Sequence, residues 1–522
     1  MASKGNLNRP GGGSTLALIA MALAVFVIAN DFTALTVALP SIEAEFDSDV
    51  GTVQWVINAY ALVFGVLIVS GGRLADLFGR KRLFLLGAAV FATFSVLAGA
   101  AQDVTWLIVC RGLMGVGGAI VWPATLGLTY ALLPGRAGLA GGLIIGSAGL
   151  GNAAGPLLGG VLTDSLSWRW VLFVNLPIAA LAALAVWRTV PESRGEDGER
   201  RLDYLGIATL SLALVSLLLA LDLGSEIGWT AWPVIALFVA APVLLALFYR
   251  VEHRVGDAAL LPPDVLGNRH FRMVCLSVLL LSPTFFAVLM YLPQYLQKIQ
   301  GYSPLEAGAA LLPLMIVFAV VSFVAGPAYD RIGAKPVVSG GALAICLGLL
   351  LLSLVGTESG YAVLVPGMVV MGIGIGLYYS SVTTAGVTAV DPSRASLAGA
   401  IVYMFQVGGG SIGLGLTTAI FSGVSSHRLE SDAASQGISA DEKDLEAVQG
   451  ILAGTESAQQ VVASFPARVA DQLVELAGDA FVAGMQWAFR VDVLIAFCGF
   501  LVALFFVGGP LRGRRPAAAQ DA

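Results

Sequence analysis

The chain has 522 residues, of which 57% are hydrophobic and 12% charged, and its mean hydropathy is +0.86; soluble domains carry about 25% charged residues. This balance excludes a water-soluble globular fold, because apolar stretches of about 20 residues, each able to cross a hydrocarbon core of about 30 Å, recur along nearly the whole length. The net charge of −6 identifies no partner, since topology is set by how the basic residues are shared among the connections.

Apolar spans bounded by charged or Gly/Pro-rich turns predict an all-α polytopic membrane protein with fourteen helices, near 16–40, 51–71, 83–101, 105–131, 138–162, 168–187, 204–223, 231–250, 271–292, 304–327, 335–355, 361–387, 394–422 and 482–508. The run from Leu16 to Pro40 is too long for a signal-peptide core and is expected to stay as the first membrane helix. That helix carries NDFTALTVALP. Its Asp31 has no basic neighbour in the same span, and an ionisable side chain inside a membrane costs at least about 2.5 kcal/mol, which makes it a functional candidate by default.

Helices 2 and 3 are joined by GGRLADLFGRKR, a compact charged connection in which Gly72 and Gly79 permit tight backbone and Asp76 is flanked by Arg73, Arg80 and Lys81. Helix 4 contributes a second intramembrane charge, Arg111, within RGLMGVGGA. Helix 5 places Gly142, Gly151, Gly155, Pro156, Gly159 and Gly160 along one segment; small residues allow close helix approach, and the proline removes a backbone hydrogen bond. After helix 10 the sequence GPAYDRIGAKP repeats the helix 2–3 connection in degenerate form through Gly326, Asp330, Arg331 and Gly333, as an internal repeat would.

Residues 425–479 form the one long segment outside the spans and are acidic (Asp441, Glu442, Asp444, Glu446). In helix 14, Asp492 is a second candidate acid. Arg490, two positions away, cannot face it on a helix. Asp222 falls near the end of helix 7 and reads as a solvated group. Asn30, Gln54, Asn58, Tyr60, Trp122, Tyr291, Gln294, Tyr378 and Gln406 are the polar and aromatic residues expected to line a central cavity, with packing or interfacial belts as the competing reading for the aromatics.

Lys and Arg cluster in alternate connections (Arg73, Arg80, Lys81, Arg82; Arg188, Arg194, Arg200, Arg201; Arg136, Arg250, Arg254, Arg269, Arg272, Arg331, Lys335, Arg394), so that face is expected to be cytoplasmic, with both termini on it. Cys110, Cys275, Cys346 and Cys498 lie far apart in apolar segments and suggest neither disulfides nor a metal site. No Gly-Lys dipeptide is present, which excludes a nucleotide-binding P-loop and leaves ion gradients as the energy source with no cofactor. The G-x-S-x-G run at Gly409–Gly413 lies inside a predicted membrane helix rather than at a strand-to-helix turn, so a hydrolase is not indicated.

Gly72, Leu74, Ala75, Asp76, Gly79, Arg80 and Lys81 reproduce the G-x-L-A-D-x-x-G-R-K signature, and here the sequence resembles the major facilitator superfamily. Asp31, Thr33, Ala38, Leu39 and Pro40 resemble the helix 1 pattern of its fourteen-helix drug:proton antiporter branch, and the helix 5 glycines match that branch's antiporter motif. Arg111 and Gly115 match the helix 4 pattern, with Met114 where glutamine is usual; WRWVLFVNLP and YLPQYLQKIQGYSPLEAGAALLPL also look like this branch.

The resemblance implies a six-helix bundle over 1–190, a linker with inserted helices 7 and 8 over 191–265, a second six-helix bundle over 266–512 that includes the outer loop 425–480, and a cytoplasmic tail over 513–522. It further implies a monomeric, proton-coupled exporter of lipophilic or cationic drugs in a bacterial inner membrane. Its partners would be a small-molecule substrate and the lipid bilayer, with no nucleic acid and no enzymatic activity. Asp31 would carry the proton with Arg111 modulating it, Asp492 being the second candidate from its place in the span alone, and Asp76 would meet the start of helix 13 and pair with Arg394. A dedicated lipid, metabolite or antibiotic exporter, and more remotely a membrane sensor on the same fold, are the alternatives.

Overall fold

A computed structural model describes residues 12–48, 50–193, 203–228, 230–255, 259–436 and 467–508. Arg194, Arg200, Arg201, the acidic stretch at 441–446, the tail 513–522 and the side chain of Asp222 lie outside the described residues. Among the described residues, fourteen helices are long and apolar enough to cross a membrane. In chain order they are α1 (Gly12–Phe46), α2 (Val50–Phe78), α3 (Arg80–Gly99), α4 (Val104–Leu132), α5 (Ala137–Ser165) and α6 (Arg169–Thr189); then α7 (Tyr204–Ile227) and α8 (Trp232–Val255). They continue as α9 (Arg269–Lys298), α10 (Pro304–Ile332), α11 (Ala334–Leu352), α12 (Tyr361–Thr388), α13 (Ala395–Ser435) and α14 (Ala467–Phe506).

The helices start where their sequences provide caps. Asp103 accepts the Trp106 N–H at 2.8 Å, Asn268 accepts the Phe271 N–H at 3.1 Å, and Ser303 with Glu306 forms a capping box on α10. Helical spans satisfy backbone groups internally, as hydrocarbon requires, except where prolines such as Pro123, Pro156, Pro283 and Pro366 remove a donor. Large apolar side chains such as Val161, Leu181, Val243, Val324 and Leu494 stay exposed on the outer surface, where lipid takes the place of a protein partner.

Two corners differ from expectation. The helix 2–3 connection is no loop: GGRLADLF completes α2, and the only break is Gly79, whose φ of 115° is open to glycine and strained for other residues. The repeat behaves identically, with Gly333 at φ 91° as the sole break between α10 and α11. The segment expected as an outer loop is helical at both ends, because α13 runs on to Ser435 and α14 begins at Ala467; its centre, 437–466, lies outside the described residues.

α1 to α6 pack among themselves, as do α9 to α14. These bundles meet where α5 lies against α10 and α12, and where α13 lies against α2 and α4. α7 and α8 pack on each other, and α7 touches both α2 and α13. The α5 glycines explain the tightest seams. Gly151, Gly155 and Gly159 face α1, where a Cβ on Gly151 or Gly155 would stand 3.0 Å from the backbone nitrogen of Asn30 or Ala34. Gly142 faces α10 instead, with the Ser322 carbonyl 2.7 Å from its would-be Cβ.

Overpacking of such a seam costs about 1–3 kcal/mol, so Gly155→Val should lower the melting temperature of the purified protein in detergent. Gly408→Ala, at a position with nothing within 4 Å of the added carbon, should leave it unchanged.

Candidate functional site

Five helices of the first bundle converge on one buried polar cluster. Asp31 on α1 and Arg111 on α4 are both 0% exposed and form an ion pair through Oδ2 and Nη1. Asn175 on α6 donates to Asp31 Oδ1 at 2.8 Å and approaches the Ser95 hydroxyl of α3 at 3.1 Å. Ser95 itself donates to the Leu172 carbonyl at 2.7 Å. From α2, the Val56 carbonyl accepts Arg111 Nε at 2.9 Å, and the Tyr60 ring lies 4.5 Å beneath the guanidinium carbon.

Met114 occupies the place where an amide would serve Arg111. Its sulfur, a weak acceptor, lies 3.7 Å from Nη1, and Arg111 Nη2 has no hydrogen-bond partner among the described residues. A buried pair whose cation is under-satisfied is held mainly by its own Coulomb attraction, so removing the charge of Asp31 leaves Arg111 largely unsupported.

Aromatic rings carry the packing from this cluster toward the second bundle. Tyr60 packs on Phe32 and Phe64, Phe64 on Trp122, and Trp122 meets Tyr403 of α13 with ring centroids 4.5 Å apart.

The repeated corners hold the bundles together at the face rich in Lys and Arg. Asp76 accepts the backbone N–H groups of Ser396 (3.4 Å) and Leu397 (2.9 Å) at the start of α13, where the helix dipole favours an anion. Arg80, paired with Asp76 one turn later at 2.8 Å, donates to the carbonyls of Pro392 (2.8 Å) and Ser393 (3.0 Å). Asp330 performs the same task in reverse, accepting Gly138 N–H at 2.8 Å and Leu139 N–H at 3.2 Å at the start of α5. A Cβ on Gly72 would come within 2.8 Å of the Ala400 side chain, so only glycine lets α2 reach α13 here. Lys81 ties the corner to the end of α6, its Nζ donating to the Trp187 carbonyl at 2.8 Å. These cross-bundle bonds all lie at the basic face.

The expected pairing of Asp76 with Arg394 is corrected: Arg394 forms its ion pair with Asp264, on the helical turn Pro263–Gly267 before α9. Arg394 sits on the 3-10 turn Pro392–Arg394 that precedes the helix, so Asp76 meets backbone N–H groups beyond it and takes its charge partner from its own corner. Asp391, which caps that turn and lies outside the spans, is held below the ordinary aspartate range by the Ser393 side chain and N–H.

In the half of the molecule toward the opposite face, a cavity of about 540 Å³ lies between the bundles. α2 lines it with Gln54 and Asn58, α7 with Leu218, Leu219 and Leu221, α9 with Met290, and α13 with Ser411 and Thr418. Of the expected cavity residues, Asn58 and Gln54 are at its wall. Tyr60, Trp122, Tyr291 and Tyr378 are buried in helix packing, Tyr378 hydrogen-bonded to Ser277; Asn30 is buried on α1, and Gln294 bonds along its own helix to Met290 and Lys298. Gln406 is half-buried and away from the cavity lining.

Behind Thr418, Tyr291 donates to its hydroxyl at 2.9 Å. The adjacent Thr417 meets both carboxyl oxygens of Asp492 at 2.9 and 3.0 Å. Asp492 is 0% exposed and has no ion pair among the described residues, while Arg490 turns away to stack on Trp487. The α5 motif residues touch no part of the cavity; Gly160 and Pro156 pack against Leu305 and Gly308 of α10.

Two bundles around a central cavity, joined at one face by a repeated Asp/Gly corner, define a membrane transporter rather than an enzyme. Residues 21–414 match the Major Facilitator Superfamily, and the chain belongs to that family. It is 36% identical over 412 residues to the puromycin resistance protein of Streptomyces alboniger, covering 78% of this chain and 81% of that one. It is 30% identical over 494 residues to the tetracenomycin C resistance and export protein of Streptomyces glaucescens, covering 94% and 90%. The fold matches the human organic anion transporter MFSD10 with a TM-score of 0.59 at 14% identity, over 95% of this chain and all of that one.

A charge-assisted hydrogen bond contributes about 1.5–3 kcal/mol, so Asp76→Asn and Asp330→Asn should each raise the population open at the basic face about ten- to hundred-fold. Spin-label distances between the basic ends of α5 and α10 measure this; distributions unchanged from wild type would refute the gate assignment.

Proposed function

We propose that this transporter is a proton-coupled exporter of lipophilic drugs and antibiotics, working by alternating access as a monomer in a bacterial plasma membrane with its basic face and termini in the cytoplasm. The proton gradient is its energy source, and no cofactor takes part. The observation that carries this reading is the Asp31–Arg111 pair, a fully buried carboxylate whose one counter-charge is a poorly satisfied guanidinium.

A proton reaching Asp31 from the outer side neutralises the carboxylate and ends the ion pair. Arg111 then keeps only the Val56 carbonyl, the Met114 sulfur and the Tyr60 ring. Breaking a buried pair costs about 3–5 kcal/mol, close to the ~5.5 kcal/mol that takes a two-state equilibrium from 1:99 to 99:1. The displaced guanidinium drives Tyr60 and Phe64 against Trp122 and Tyr403, which meet across the bundle interface. Asp76, Arg80 and Asp330 then release the starts of α13 and α5, and the basic face opens to cargo. Asp492, set one residue behind the cavity wall at Thr417–Thr418, is proposed as a second proton acceptor.

The substrate class follows from the largely apolar cavity wall, broken by the uncharged polar groups of Gln54, Asn58, Ser411 and Thr418. A dedicated exporter of one self-made antibiotic remains the competing reading, favoured by the names of the puromycin and tetracenomycin C relatives.

In liposomes holding a pH dye, ethidium or puromycin added to the wild-type protein should drive proton movement, and Asp31→Asn should abolish it. Flux that survives Asp31→Asn and disappears in Asp492→Asn would move the coupling role to α14.

A further inference from the structure

A further buried acidic centre lies at the root of the α7–α8 hairpin, away from both the cavity and Asp31. Asp203 caps α7, its Oδ1 accepting the Gly206 N–H at 2.7 Å. Glu252, in the last turn of α8, accepts the Leu260 N–H at 3.1 Å on Oε1 and the Leu261 N–H at 2.8 Å on Oε2. Both residues are more than nine-tenths buried, at 8% and 5% exposure. Their carboxyl groups meet over Gly206, where an added Cβ would lie 2.7 Å from both Glu252 Oε1 and Asp203 Cγ, and the two side chains are within hydrogen-bonding reach of each other.

Asp203 Oδ2 faces this contact with no donor to satisfy it among the described residues. Ionised carboxylates only accept hydrogen bonds, so two of them in contact and out of water repel, whereas one proton between them turns the same contact into a strong hydrogen bond. We propose that Asp203 and Glu252 share a single proton and make the hairpin root a proton-binding site on the basic face.

The charges around the pair show what the proton controls. Arg73 on α2 feels Glu252, together with Asp76, Asp264 and Arg394. Glu252 fixes Leu260 and Leu261; three residues on, Asp264 pairs with Arg394, which immediately precedes the α13 start held by Asp76. With the proton bound, the hairpin root and the 260–264 segment brace the closed gate. Its loss places like charges in contact, drives Glu252 off the Leu260 and Leu261 N–H groups, and frees the segment. The site therefore senses the pH of the face that it lies on, independently of the role proposed for Asp31.

Infrared spectra of the full-length protein in lipid nanodiscs test the shared proton directly. Wild type minus Glu252→Gln should show the carbonyl stretch of a protonated carboxyl that titrates away as pH rises. Asp203→Asn should remove the same band, and Asp31→Asn should leave it in place. Thiol labelling of Leu261→Cys should accelerate at least tenfold from acid to alkaline pH in the otherwise wild-type chain and stay slow at every pH with Glu252→Gln, whose amide donates to Asp203 without titrating. Equal carboxyl bands in wild type and Glu252→Gln, or parallel labelling profiles, would overturn the proposal.

Discussion

The arrangement depends on one electrostatic constraint: Asp31 and Arg111 carry opposite full charges in the middle of a bundle from which water is excluded. Neither is tolerable there alone, and their attraction outweighs desolvation only because α2, α3 and α6 deliver Val56, Tyr60, Ser95 and Asn175 to the same point. The close α1–α5 seam made by Gly151, Gly155 and Gly159 fixes the depth at which α1 presents its carboxylate. The α5 glycines thus act through position, by placing the helix that bears Asp31.

The cross-bundle corners rely on backbone where the Asp31–Arg111 cluster relies on side chains. Asp76 and Asp330 each bind the N-terminus of a helix in the opposite bundle, and Gly79 and Gly333 supply the backbone turn just after them. Helix N-termini are fixed partial charges that need no side chain in reply, so the degenerate repeat makes the same kind of contact through Asp330 alone. The closed basic face and the cavity in the opposite half describe one of the two end states that alternating access requires.

Much of this was legible in the sequence because a membrane restricts the chain so strongly. All fourteen spans could be read from length and hydropathy, and Asp31, Arg111 and Asp492 stood out as charges in hydrocarbon. Less legible were the features set by helix rotation. Spans apolar on every side do not disclose which face turns inward, so Tyr60, Trp122 and Tyr378 looked like cavity residues while Leu218 and Leu219 did not. Asn175 lies in WRWVLFVNLP, a segment legible as a family resemblance but with no charge to mark the asparagine as a partner of Asp31. Asp264 sits on a short turn of unremarkable composition, so its capture of Arg394 could not be anticipated. The Asp203–Glu252 contact joins residues 49 apart that only the antiparallel packing of α7 on α8 brings together.

Proton release on cargo binding, measured with a pH electrode in weakly buffered detergent solution, tests the central claim most directly. If Asp31 is the coupling acid, puromycin or ethidium should release protons from the wild-type protein. Asp31→Asn should bind the same compound and release none. Equal release from Asp31→Asn would contradict the account and place the coupling proton elsewhere in the fold.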